Sequence, residues 1–184
     1  MILDLKKAIG SSAIPPTPFD ENDKIDINAL ERVYEFIVQC GSTSITTPVM
    51  VSEFEALCED ERKLMVREAC EVVNKRCAII ANVTAPCMHQ AAVYAEYAQE
   101  CGADSVIAMG PAGSDYSYVK RFFKAISDAV TVPVMIQNHS GAGFLRPVAF
   151  LPELWRIAQA TARPQKRVAK PKASNNRAMP VARG

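Results

Sequence analysis

The sequence predicts an α/β protein built around a parallel sheet. Three observations carry this reading. Apolar runs of about five residues alternate with amphipathic stretches of helical period, the runs recur roughly every 30 residues, and polar or proline-containing loops separate them. Strands that alternate with helices form βαβ units. Two architectures fit the plan: an open doubly wound sheet, or part of an eight-stranded barrel.

An opening strand is placed from Ala8 to Ile14. Asp26 then stands as the N-cap of a first helix, with Leu30, Val33, Tyr34, Ile37 and Val38 on one face and Cys40-Gly41 as its close. Ser44 to Val51 reads as a strand, and Glu59 to Asn74 as a helix striped by Leu64, Met65, Ala69, Val72 and Val73. Cys77 to Val83, CAIIANV, is a near-continuous apolar run of the kind covered on both faces. A helix from about His89 to Cys101 ends at Gly102, and strand, helix and strand follow at Ser105 to Met109, Tyr118 to Ala129 and Val132 to Ile136. A last amphipathic helix, Pro152 to Thr161, carries Trp155.

A chain of 184 residues, 49% hydrophobic, supports one sizeable core. No apolar run approaches the roughly 20 residues of a membrane span, and the opening MILDLKKAIG lacks the order of a secretory signal, so the expectation is a cytoplasmic protein. The six cysteines form no CxxC pair and find no histidine at ligand spacing. They read as free, buried thiols, and neither a metal site nor a cofactor is expected. Neither GxGxxG nor GxxxxGK[ST] occurs, which argues against a nucleotide site. Seven of the 21 basic residues and none of the 20 acidic ones lie from Ala162 onward, leaving 14 basic against 20 acidic residues in 1–161. The division is therefore a folded body over 1–161 and a basic tail over 162–184 without helical or strand period. An acidic body and a tail without interleaved aromatics speak against nucleic-acid binding.

The order of loops selects between the two architectures. Thr17-Pro18-Phe19 with Ile25-Asp26 resembles TPF followed by IDxxAL of the dihydrodipicolinate synthase and N-acetylneuraminate lyase family. Glu53 to Leu57 with Glu59-Asp60-Glu61-Arg62 resembles its GE-x-x-x-L and E-E-R, and Gly102-Ala103-Asp104-Ser105-Val106 its GAD-x-V. Gly110-Pro111 stands at its PP or PY turn, and Pro133 to Asn138 resembles its PV-x-x-YN. The resemblance implies a (β/α)8 TIM barrel, present here as about five βα units. It also implies a homo-oligomer acting as a class I aldolase, in which a lysine forms a Schiff base with pyruvate or another 2-oxo acid.

Carried over residue by residue, the resemblance puts Ser52, Glu53 and Asn138 at substrate-binding positions. Gln137 takes the place of the proton-relaying tyrosine, and an amide cannot do that acid–base work. The two threonines that hold the carboxylate fall on Met50 and Val51. Thr46 and Thr47 fall inside the strand and are not substitutes. The second tyrosine falls on Gly113, with Tyr116 and Tyr118 nearby, read as packing or surface residues at a helix start. The catalytic lysine falls on Lys170, although Gln165, Lys166, Arg167 and Pro171 around it suit a solvated tail better than a barrel strand. His139 is an acid–base candidate by its ordinary pKa, against the reading of a water-facing loop residue.

A complete barrel takes roughly 250 residues. The expectation is thus a C-terminally truncated or divergent member: a fragment closed by self-association, the product of a frame or splice change near residue 162, or a relict. The abrupt change of composition favours the second. Two functions stay open, a lyase of impaired chemistry and a non-catalytic relative that binds a small oxo acid or a subunit partner.

Overall fold

The computed structural model describes residues 10–138 together with 152, 153 and 156. Five strands, β1 (Ser12–Ala13), β2 (Ser44–Thr47), β3 (Ala78–Asn82), β4 (Ser105–Ala108) and β5 (Val134–Ile136), pair in that order and all in parallel. Between them run α1 (Ile27–Gln39), α2 (Glu59–Val73), α3 (Met88–Cys101) and α4 (Tyr116–Ala129). A doubly wound sheet reverses its strand order at a switch point. This ladder never reverses, so it is an arc of barrel wall, five strands of the (β/α)8 plan with the four helices between them.

Local chemistry sets the helix bounds. Asp26 caps α1, its carboxylate accepting the Ala29 N–H at 2.9 Å. Glu61 reaches back to accept the Cys58 N–H at 2.9 Å at the start of α2. Gly102, at φ 98°, turns the chain out of α3. Asp115 caps α4 by accepting the Tyr118 N–H at 2.8 Å, which starts that helix at Tyr116, two residues before the hydrophobic period reveals it. The strand expected over residues 44–51 stops at Thr47, because Met50–Ser52 winds into a 3₁₀ turn. Of the expected last helix, residues 152, 153 and 156 are helical and the remainder lies outside the described residues, as does the expected tail over 162–184.

Alternation along each strand divides the sheet into two faces. Ile45, Ile79, Ala81, Val106, Ala108 and Val134 turn outward into one apolar core with Leu30, Met65, Ala69, Ala95, Val119 and Phe122 from the helices. Tyr34 of α1 is fully buried there; its hydroxyl donates to the Met65 carbonyl at 3.0 Å and accepts from Thr47 Oγ1 at 3.3 Å. Ser44, Thr46, Ile80, Asn82, Ser105 and Ile107 occupy the opposite, inner face, where Ser12 and Thr46 share a hydrogen bond of 2.8 Å. The cysteines are free, as expected, but Cys40, Cys58 and Cys87 are exposed and the other three only part-buried. Their positions at helix ends, not in helix centres, explain the difference for Cys40, Cys58 and Cys87. No helix among the described residues is long and apolar enough to cross a membrane.

Phe122 packs edge-on against Phe123 with ring centroids 5.4 Å apart. Truncation of Phe122 to alanine is expected to cost about 3–5 kcal/mol in urea unfolding. The same change at Phe36, on the same kind of helix but 66% exposed, is expected to move stability by less than about 0.5 kcal/mol.

Candidate active site

In a parallel barrel the loops that follow the strands gather at the C-terminal face, and chemistry is built there. The loop after β2 carries Met50 and Val51, 39% and 61% exposed, in the 3₁₀ turn. Glu53 follows in the left-handed region at φ 56° with its side chain in water. Ser52, between them, is fully buried: its hydroxyl donates to the Pro15 carbonyl at 2.7 Å, and its own carbonyl accepts from Thr17 Oγ1 at 2.6 Å. Its side chain therefore ties the loop after β1 to the loop after β2. Thr46 and Thr47 do lie within β2.

At the end of β5, Gln137 extends the ladder by one residue, its N–H donating to the Ala108 carbonyl at 2.9 Å. Its Oε1 is buried and has no hydrogen-bond partner among the described residues. Asn138 follows, exposed at the rim. Ser52, Glu53, Gln137 and Asn138 thus all stand at the C-terminal face, Ser52 and Glu53 after β2 and the other two after β5. Lys170 and His139 lie outside the described residues. Tyr116 turns its hydroxyl to Glu153 at 2.6 Å, while Tyr118 lies under the Arg121 guanidinium at 5.7 Å.

Sequence reasoning missed two groups at this face. The first is a buried cation. Arg62, on the first turn of α2, is 8% exposed and sits over the rings of Phe54 and Tyr94 at 5.1 and 4.4 Å. Its Nη2 donates to the Thr84 carbonyl at 2.8 Å and to that of Asn82 at 3.4 Å, and its Nε has no partner among the described residues. Burial pulls its pKa below the usual guanidinium value, while an arginine remains cationic at any ordinary pH. It borders a cleft of about 680 Å³ among the loops after β2, β3 and β4, lined also by Leu57, Gln90, Met109 and Pro111. The signal was present in the Glu59-Asp60-Glu61-Arg62 stretch, whose likeness to the family's E-E-R gives Arg62 no role of its own.

The second group is a short chain of hydrogen bonds. The Met109 N–H donates to Thr84 Oγ1 at 2.9 Å, and Thr84 Oγ1 donates to Asn82 Oδ1 at 2.6 Å. The same Oδ1 accepts the Thr84 N–H at 3.1 Å. Asn82 is 4% exposed and its Nδ2 has no partner among the described residues. An asparagine inside the apolar run CAIIANV, where that residue type is depleted, was the available clue. Among the described residues no group of three or more His, Cys, Asp or Glu side chains is placed to hold a metal ion.

Residues 7–144 match the model of the dihydrodipicolinate synthetase family. The chain is 27% identical over 158 residues to an L-2-keto-3-deoxyarabonate dehydratase from Azospirillum brasilense, covering 83% of this chain and 51% of that one. It is 31% identical over 131 residues to a 4-hydroxy-tetrahydrodipicolinate synthase from Acidiphilium cryptum, covering 70% and 45%. In fold it is similar to a prophage protein of the dihydrodipicolinic acid synthase family from E. coli K12, solved in complex with pyruvate. That likeness has a TM-score of 0.74 and 24% identity, over 80% of this chain and 51% of that one. The chain spans about half the length of the curated relatives it matches.

The hydrogen bonding of Ser52 makes a measurable demand. Ser52→Ala leaves the buried Pro15 carbonyl unpaired and is expected to lower stability by about 1–3 kcal/mol in urea unfolding. Glu53→Gln, in water one residue on, is expected to change it by less than about 0.5 kcal/mol.

Proposed function

The chain belongs to the dihydrodipicolinate synthetase family, and from that premise we propose that it is a Schiff-base lyase of the class I aldolase type, acting on pyruvate or another 2-oxo acid with impaired chemistry. In this reading the amine of Lys170 attacks the substrate ketone and water leaves, so that the resulting iminium draws electrons from the carbon–carbon bond being made or broken. Glu53 and Asn138 close the rim around the substrate, and Ser52 holds the loop that carries Glu53. We also assign it to the cytoplasm, as a homo-oligomer.

One observation supports the impairment above others. Gln137 sits at the end of β5 in the PV-x-x-YN register, where the family pattern puts a tyrosine. Its amide can orient a substrate, but it offers no proton of suitable pKa for relay to the iminium centre. A second reading, a non-catalytic relative that binds a small oxo acid or a subunit partner, draws on Met50 and Val51. These exposed apolar side chains replace the hydroxyls that would hold a carboxylate.

Borohydride trapping separates the two. The full chain incubated with pyruvate and reduced is expected to gain one pyruvate-derived adduct in intact mass, mapped to Lys170 by peptide analysis. Gln137→Tyr is expected to speed that trapping by about 10²-fold, the scale of one general acid–base group. A chain that yields no adduct with any of several 2-oxo acids overturns the lyase reading in favour of the second.

A further inference from the structure

We propose that Asn82 and Gln137 together hold a hydroxyl group on the carbon chain of the bound 2-oxo acid, which makes Asn82 a specificity-determining residue of this site. The inference rests on the 2-oxo acid reading given above and adds to it the substituent that the substrate carries.

The first support is the face on which the two side chains lie. Ile79 and Ala81 of β3 belong to the helix-covered core, so Ala78, Ile80 and Asn82 turn to the inner face. Asn82 is the register partner of Ile107, which is in turn the partner of Met135. Gln137 lies two residues beyond Met135 in a ladder continued by its own N–H, and so shares that face. Two strand spacings and two residues of rise set the two backbones apart by about 10 Å across and about 7 Å along. Two side chains and a small ligand fill such a span.

The second support is the chemistry left over on each amide. Asn82 cannot be turned end for end: the Thr84 N–H needs an oxygen opposite it, and Thr84 Oγ1, already accepting from Met109, gives its own proton to the same atom. Nδ2 is therefore fixed as a donor, buried and without a partner among the described residues. Gln137 Oε1 is an acceptor, likewise buried and without a partner among the described residues. A hydroxyl accepts from the one and donates to the other. A carboxylate satisfies only the donor, and an ammonium only the acceptor.

The test compares 4-hydroxy-2-oxobutanoate with 2-oxobutanoate, which differ by that hydroxyl, in calorimetric titrations of the full chain. The unaltered protein is expected to bind the hydroxylated acid at least about 10-fold more tightly, since a site built for a hydroxyl rejects the analogue that lacks it. Asn82→Asp keeps the acceptor for Thr84 and removes the donor, and is expected to bring the two affinities within about two-fold of each other. Gln137→Leu tests the other half and is expected to erase the same preference. Equal affinities in the unaltered protein, or a preference that survives in either variant, overturn this inference alone. Failure to bind either acid overturns the 2-oxo acid reading and this inference with it.

Discussion

The outer face of the sheet is the constraint on which everything else in this molecule rests. A parallel strand covered by helices must place an apolar side chain outward at every second position. Here Ile45, Ile79, Ala81, Val106, Ala108 and Val134 meet that demand. The intervening positions are released from it and carry Ser44, Thr46, Asn82 and Ser105, polar side chains with local work to do. Slipping any strand by one residue would exchange the two sets and bring hydroxyls against Leu30 and Phe122. The location of the polar inner face is thus a by-product of how the core closes.

Arg62 shows the same economy in a different place. A guanidinium this buried, without an ion pair to a carboxylate among the described residues, is costly to desolvate. The cost is offset by two aromatic faces and by two carbonyls at the end of β3 and just beyond it, Asn82 and Thr84. The result ties the start of α2 to the loop after β3. Tyr94 takes part from α3, so two successive βα units, β2–α2 and β3–α3, meet at one side chain.

Much of this was legible in the order of residues because it depends on near neighbours. Asp26 and Gly102 bound their helices by contacts within a turn, and the apolar period of α2 identified Met65, Ala69 and Val73 as core. The loop motifs pointed to the barrel because they fall at fixed places between elements. What escaped depends on partners distant in sequence. Ser52 resembled a ligand contact until its hydroxyl was found on Pro15, 37 residues earlier. Thr84 carries no periodic signal, and its role comes from the Met109 N–H 25 residues later. The strand expected over residues 44–51 is longer than the one formed because Val49 and Val51 look like strand residues, whereas Ser52, within the turn at Met50–Ser52, is tied to the Pro15 carbonyl 37 residues earlier.

The bond from Met109 to Thr84 also bears on how such barrels can be recombined. The loops after β3 and β4 share one hydroxyl, so they form an indivisible cassette. A chimaera that imports only the β3 loop from a relative lacking that threonine strands a backbone amide in the neighbouring loop, which then has to find another acceptor or change course. Exchange of loops between members of this fold is modular at the level of single βα units only where no such shared atom exists. Here the smallest transferable block runs from Asn82 to Met109.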